Sequence, residues 1–179
     1  MRTERLHREY GVHLRWSAFP LHPETPPEGR ELAELFAGQE AMIRDMQARL
    51  LQVAATEGLP LTERSRTYNS RLAQELGKWA EAQGHGNAFH QAVYRAYFVA
   101  GVNIALIDEL VRIAADTGLP AAETRTVLEE RSYAAAVDAD WQRAMELGIT
   151  AVPTHLCEGR RLTGFAAYED FVRLIGQSL

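Results

Sequence analysis

The sequence predicts an α/β protein in which a long all-helical block separates short strands near the two ends of the chain. Three observations carry this prediction. Residues 12–17 (VHLRWS) alternate between apolar and polar side chains, which is the period of a half-buried strand. Between residues 40 and 147, apolar positions recur at spacings of three and four, as in amphipathic helices. Residues 154–163 then form two strand-like runs around Glu158-Gly159, which predicts a β-hairpin.

Short polar segments precede the helical block. Residues 2–10 are compatible with a helix, and Gly11 is expected to end it because glycine readily adopts the left-handed conformation of a helix C-terminus. The segment 20–29 (PLHPETPPEG) contains four prolines and one glycine, which is typical of a loop.

Six helices are predicted within the block. The first places an apolar face inward and ends at Gly58; that face consists of Met42, Ile43, Met46, Leu50 and Val53. The next three begin at polar residues that can cap a helix, namely Asn69 or Ser70, Asn87, and Asn103. Pro120 suits the first turn of the fifth helix, and the sixth runs from about Ser132 to Leu147. A terminal helix follows the hairpin, with Tyr168, Phe171, Val172 and Ile175 on its apolar face.

Composition and charge exclude several functional classes. The net charge of −5 argues against non-specific nucleic-acid binding, which needs a basic surface. The sequence has no apolar run of about 18 residues and no secretory-signal pattern, so we expect no membrane partner and a cytoplasmic location. The single cysteine excludes an internal disulfide and a multi-cysteine metal site, and we predict no metal site.

Three stretches of the chain resemble the DsbA-like branch of the thioredoxin fold. GITAVPTHLCEGRRLTGFAAYEDFVRLI (residues 148–175) resembles the C-terminal ββα half of that fold. VHLRWSAFPLHPETPPEG (residues 12–29) resembles the second strand and following loop of the cytoplasmic DsbA-like oxidoreductases. YRAYFVAGVNIALIDELVRIAADTGL (residues 94–119) resembles the helices inserted in that branch, which also contains the 2-hydroxychromene-2-carboxylate isomerases.

The resemblance implies a thioredoxin-like layer interrupted by an all-α insertion. Residues 1–29 would be the remnant of the N-terminal thioredoxin half, residues 30–147 the inserted helical domain, and residues 148–179 the C-terminal ββα half. Members of the family carry a Cys-x-x-Cys at the start of their first helix, and that motif is expected to lie before residue 1. We therefore expect a truncated N-terminal βα part and no catalytic residue in this chain.

Cys157 does not replace the missing motif. The nucleophile in thiol–disulfide exchange is the thiolate, and a helix N-terminus lowers the thiol pKa that produces it. Cys157 lies, by pattern, inside a strand and is expected to be a small buried side chain. Trp16, Trp79 and Trp141 are interpreted as core or inter-domain packing.

The resemblance implies a substrate-binding site at residues 152–155, centred on Pro153. The matching proline in the family follows a cis peptide bond, although only about 5–6% of X–Pro bonds in folded proteins are cis. Val152 would then present its backbone to a bound peptide or thiol, beside Thr154. His155 is either a strand histidine on a half-exposed face or a proton-transfer group with an ordinary pKa near 6.5. Asn69 is either a helix cap or a polar group that holds substrate, as in the isomerase relatives.

The leading functional prediction is a DsbA-like thiol–disulfide oxidoreductase that lacks its redox motif and is inactive alone, acting on a thiol- or disulfide-containing protein or a small thiol. One alternative is a glutathione-dependent isomerase of the same branch, with glutathione as its cofactor; another is a non-catalytic thioredoxin-like binding module. The leading prediction requires no cofactor. A homodimer is also expected, because the missing first strand would leave residues 12–17 and 154–157 with unpaired edges.

Overall fold

The structure is a computed structural model that describes residues 2–176. Nine helices and four short strands occur in this range, and the sequence predicted most of them. In chain order they are α1 (Arg2–Tyr10), β1 (Arg30–Glu31), α2 (Leu32–Leu35), α3 (Glu40–Thr56), β2 (Arg66–Thr67), α4 (Arg71–Ala82), α5 (Gly86–Phe98), α6 (Ile107–Ala115), α7 (Ala121–Glu129), α8 (Ala134–Glu146), β3 (Thr154–Cys157), β4 (Arg160–Thr163) and α9 (Tyr168–Leu174).

The chain divides into two compact units. One comprises the described residues up to Leu21 and from Asp138 onward, and the other comprises His22–Val137. Their boundary falls within α8. The finer division into residues 1–29, 30–147 and 148–179 stays a prediction.

The unit formed by His22–Val137 is built on the apolar faces of α4 to α7. Their spacing places fully buried side chains at the centre of the unit, because residues three and four apart share one face of a helix. The side chains with at most 1% exposure include Leu76, Phe89, Leu110 and Leu128. Trp79 joins this core at 4% exposure, as predicted.

A buried ion cluster completes this unit. Glu75 on α4 is 1% exposed, and its carboxylate accepts hydrogen bonds from Arg71 at 2.5 Å and from Arg131 at 2.6 and 2.7 Å. Arg71 also donates to the carbonyl of Ala134 at 2.9 Å. Glu75 therefore ties α4 to the turn between α7 and α8.

The predicted apolar face of α3 is only partly covered. Ile43 is 8% exposed, whereas Met42, Met46 and Leu50 are between 49% and 55% exposed. Helical spacing placed these residues on one side of α3, but it could not show which part of that side another element covers.

The unit formed by the two chain ends contains the predicted hairpin. β3 and β4 are antiparallel, with Thr154 opposite Thr163 and Cys157 opposite Arg160. Helix α9 follows, and its Phe171 and Val172 form a small core with Leu6 of α1. Gly11 ends α1 with a φ of +67°, as predicted.

The strand predicted for residues 12–17 was wrong. This segment is irregular, and no strand pairs with it in the part of the chain that the structure describes. Alternation predicts the two faces of a strand but does not provide the neighbouring strand that its hydrogen bonds require. Leu14 and Trp16 remain 45% exposed, so Trp16 is not a core residue; inter-domain packing, the other role predicted for it, stays a prediction.

The sequence did not predict β1, β2 or α2. The two strands are two residues long and antiparallel, with Arg30 opposite Thr67 and Glu31 opposite Arg66. Runs this short carry no measurable periodicity. Gly29, directly before β1, lies so close to Tyr68 that a Cβ atom at this position would be 2.5 Å from the Tyr68 ring.

Candidate functional site

The predicted site is a loop that leads from α8 into β3. The Val152–Pro153 peptide bond is cis, which confirms that prediction. The backbone N–H of Gly164 donates to the Pro153 carbonyl at 2.8 Å. The Thr154 hydroxyl donates to the Ala151 carbonyl at 2.7 Å and so closes the loop across the intervening two residues.

Val152 lies at the exposed tip of this loop. Its relative exposure is 45%. Among residues 2–176, no hydrogen bond satisfies its backbone N–H or C=O. Strand β3, which begins two residues later, pairs with β4 along one edge, and no described strand pairs with its other edge. Val152 therefore presents unpaired backbone groups at the surface, next to an edge of β3 with which no described strand pairs.

His155 is partly buried, and one side of its ring packs against the small core. Its ring meets that of Phe171 edge to face, with 4.7 Å between the ring centroids. Its Nδ1 atom is buried and has no hydrogen-bond partner among the described residues. Burial lowers the pKa of His155, and a hydrogen bond to the backbone of Leu162, the residue opposite it in β4, opposes this effect in part. The half-exposed strand histidine is the interpretation that this geometry favours.

Cys157 is partly buried rather than fully buried. It lies on the same face of β3 as His155, since alternate residues of a strand share a face. Its thiol lies on a strand rather than in the first turn of a helix.

A polar cluster that the sequence did not predict holds α1 on α9, next to the hairpin. The Tyr168 hydroxyl donates to the Glu9 carboxylate at 2.7 Å, and Arg5 donates to the same carboxylate at 2.8 Å. The Arg5 guanidinium also lies over the Tyr168 ring, 3.9 Å from its centroid. The hydrogen bonds from Arg5 and Tyr168 lower the pKa of Glu9. Only the apolar face of α9 was visible in the sequence.

Asp140 on α8 is a second polar residue that the sequence did not predict. It is 4% exposed, and its carboxylate accepts the backbone N–H of Ala18 at 2.8 Å. Arg15 lies 3.7 Å from the same carboxylate. Asp140 thus fixes the irregular segment that follows α1 where a strand had been predicted.

Asn69 belongs to the other unit, and its contacts are structural. Its side-chain oxygen accepts the backbone N–H of Arg71 at 2.8 Å, at the start of α4. Its side-chain nitrogen donates to the carbonyls of Thr25 at 2.6 Å and Pro23 at 3.2 Å. The capping interpretation is therefore favoured, with an additional role in holding the proline-rich loop; substrate binding by Asn69 stays a prediction.

Asn103 makes a similar pair of bonds, but α6 begins at Ile107 after Leu106, so the prediction that Asn103 caps this helix was wrong. Its oxygen accepts the backbone N–H of Ala105 at 2.9 Å, and its nitrogen donates to the Pro27 carbonyl at 2.8 Å. Two amide side chains therefore hold the same loop at different points.

The described residues contain no cluster of three or more His, Cys, Asp or Glu side chains that could hold a metal ion. The ring of His85 lies 2.8 Å from the Thr117 carbonyl, and that of His90 lies 3.2 Å from the Glu81 carboxylate. Within residues 2–176, no helix has the length and apolar character needed to cross a bilayer.

Solved structures with the same fold include three proteins. A probable DsbA oxidoreductase from Streptomyces coelicolor superposes with a TM-score of 0.85 at 24% identity, covering 97% of this chain and 80% of that one. A 2-hydroxychromene-2-carboxylate isomerase superposes with a TM-score of 0.75 at 19% identity, covering 98% of this chain and 84% of that one. A putative protein disulfide isomerase from Nitrosomonas europaea gives 0.71 at 19% identity, covering 98% and 86%. These likenesses confirm the predicted fold: a thioredoxin-like layer with a helical insertion.

Two sequence comparisons complete the assignment. The uncharacterized protein YwbO of Bacillus subtilis (strain 168) is 31% identical over 105 residues, which cover 58% of this chain and 52% of that protein. The match thus spans about half the length of this relative. The model of the DSBA-like thioredoxin domain matches residues 1–176. The chain therefore belongs to the DSBA-like thioredoxin domain family.

Proposed function

We propose that this chain provides the substrate-binding part of a DsbA-like thiol–disulfide oxidoreductase, and that Val152 and the adjacent edge of β3 hold a thiol- or disulfide-containing peptide. The observation that carries the proposal is the exposed Val152, whose backbone groups have no partner among the described residues. Membership of the family makes such a substrate the expected one.

The chemistry of the loop supports peptide binding. An extended peptide can add to an exposed strand edge, where main-chain hydrogen bonds provide affinity and side-chain pockets provide specificity. Thr154 and Gly164 hold the loop on both sides of Val152, so little conformational entropy would be lost when a peptide binds. Val152 itself offers an apolar side chain for contact.

The proposal assigns no redox step to the chain itself. Thiol–disulfide exchange requires a thiolate that attacks a disulfide sulfur. Cys157, the single cysteine of the sequence, is partly buried on a strand. We propose that a second thiol, outside these residues, performs the attack.

The test is a two-dimensional amide NMR titration with three probes: a short peptide carrying a mixed disulfide, its serine analogue, and reduced glutathione. The expected result is saturable shifts at Val152, Thr154 and His155 with the mixed-disulfide peptide and weaker shifts with the serine analogue. The Thr154→Val variant, which loses the hydrogen bond to Ala151, should bind the peptide several-fold more weakly, whereas Thr56→Val on α3 should bind normally.

The outcomes separate the candidate functions. Saturable shifts with glutathione but not with either peptide would contradict the proposal and favour the glutathione-dependent isomerase. Equal binding of the two peptides would favour a non-catalytic peptide-binding module. Absence of shifts at this loop with all three probes would also contradict the proposal.

A further inference from the structure

Helix α3 carries an apolar row that the rest of its unit leaves exposed. Met42, Met46 and Leu50 are 54%, 55% and 49% exposed. They are spaced four residues apart, so they form one continuous row on the helix surface. Single exposed apolar side chains are common in soluble proteins, whereas a contiguous group of them indicates an interaction surface.

The helix cannot bury this row by rotating. Ile43 and Ala54, on the adjacent face, are 8% and 7% exposed. Rotation that covered Met46 would bring these two residues into water. Another surface must therefore pack on the row if it is to be removed from solvent.

The charges beside the row indicate what that surface is. Asp45 and Arg49 are both exposed and lie one helical turn apart, on the side of the row away from Ile43. The midpoint between them is residue 47, and the midpoint between Met42 and Leu50 is Met46. The two centres differ by one residue, or about 1.5 Å along the helix. One two-fold axis can therefore serve both the apolar row and the charged pair.

We propose that α3 is a self-association surface, on which the Met42–Met46–Leu50 rows of two copies of this chain pack antiparallel about a two-fold axis near Met46. Rows of this spacing interlock when two helices cross at about −50°, the commonest class of helix packing. Antiparallel packing brings Asp45 of each copy beside Arg49 of the other, so the charges pair twice.

A second copy fits this surface better than a partner of one charge sign. A strongly acidic partner would be repelled by Asp45, and a strongly basic partner by Arg49, whereas the surface is complementary to itself under two-fold rotation. The row is about 12 Å long, which is short compared with a standard interface of about 1,600 Å². The dimer is therefore weak and concentration-dependent.

Sedimentation velocity over a range of concentrations tests the proposal on the full chain. The wild type is expected to dimerise reversibly. Met46→Glu should raise the dissociation constant about tenfold or more, because it places two buried carboxylates beside the axis. Met145→Glu is the matched control, since Met145 is 62% exposed on α8, and it should leave the constant unchanged.

Charge reversal separates this interface from other modes of association. Asp45→Arg alone should weaken the dimer several-fold, because two like-charged pairs replace two opposite ones, and the double variant Asp45→Arg/Arg49→Asp should restore it to within about twofold. Circular dichroism confirms that each variant is folded. A chain that stays monomeric at all concentrations, or a double variant that stays as weak as the single one, overturns the proposal. So does loss of the dimer in Leu14→Asp, which would place the contact in the irregular segment.

Discussion

Glu75 is a carboxylate that the fold has removed from water and surrounded with two guanidinium groups. Burial raises its pKa, but the hydrogen bonds from Arg131 and Arg71 outweigh this effect and hold the pKa below its usual range. Arg131 reaches Glu75 from a left-handed backbone conformation, with a φ of +55°. Few residues other than glycine adopt that conformation. Arg131 adopts it at the position from which its side chain binds Glu75.

We expect Glu75→Gln to lower the free energy of unfolding by about 2–3 kcal/mol, because it removes the buried carboxylate and with it the charge that pairs with Arg71, whose side chain is 17% exposed; the half-exposed Arg131 can turn to water. Urea denaturation followed by circular dichroism measures the change. Glu109→Gln is the matched control: its exposed pair with Arg112 should contribute less than about 1 kcal/mol. Equal effects of the two substitutions would show that the Glu75 cluster does not stabilise the fold.

Tyr168 supplies a pH-dependent prediction. Burial and the hydrogen bond to Glu9 raise its pKa from 10.0 to about 12. The folded state favours the neutral phenol of Tyr168. The contribution of this phenol to the free energy of unfolding is therefore complete below pH 10 and is lost as the pH rises toward 12. Tyrosinate absorbance should show one of the six tyrosines titrating near 12.

Two variants identify that tyrosine. In Glu9→Gln the late titration should move part of the way back toward 10, since burial remains. In Tyr168→Phe it should disappear. A late titration that survives in Tyr168→Phe would assign it to another tyrosine and contradict the prediction.

Among the elements, those that carry their own signal were predictable from the sequence. Helix α4 combines an apolar stripe containing Leu76 with a polar start at Asn69, and both the helix and its start were predicted. The hairpin was predicted from two short runs around Glu158-Gly159. The irregular segment 12–17 was not, because a strand depends on a neighbour that lies elsewhere in the sequence.

The candidate site shows the same limit. The cis bond before Pro153 was predicted from the resemblance to a family, since the residues alone favour a trans bond. The cluster of Arg5, Glu9 and Tyr168 joins residues from opposite ends of the chain, and no local pattern announces such a contact.

The loop that Asn69 holds should respond to loss of a single donor. Asn69→Asp keeps the acceptor for the Arg71 N–H but replaces the donor to Thr25 with a carboxylate that repels carbonyl oxygens. We expect the free energy of unfolding to fall by about 1–3 kcal/mol. We also expect faster hydrogen exchange at the Thr25 amide. Asn87→Asp, at the exposed first turn of α5, is the control and should change neither the free energy of unfolding nor this exchange rate. Similar exchange at Thr25 in the two variants would contradict the prediction.

At the scale of the whole molecule, the cysteine content predicts the behaviour of the isolated chain. A single cysteine cannot form an intramolecular disulfide, so the chain cannot cycle between dithiol and disulfide states. In the insulin reduction assay with dithiothreitol, we expect no rate above that of the buffer. A rate above the buffer that disappears in Cys157→Ser would contradict this expectation.

The two asparagine clamps have a consequence for how the proline-rich loop can change over evolution. The side chains of Asn69 and Asn103 donate hydrogen bonds to the carbonyls of Pro23, Thr25 and Pro27. These acceptors are backbone atoms, which every amino acid possesses. Substitution of the loop's side chains therefore leaves the acceptors of these bonds in place. The two asparagines therefore fix the path of the loop, and its exposed side chains are free to diversify, whereas the buried Thr25 and Gly29, which packs against Tyr68, are not.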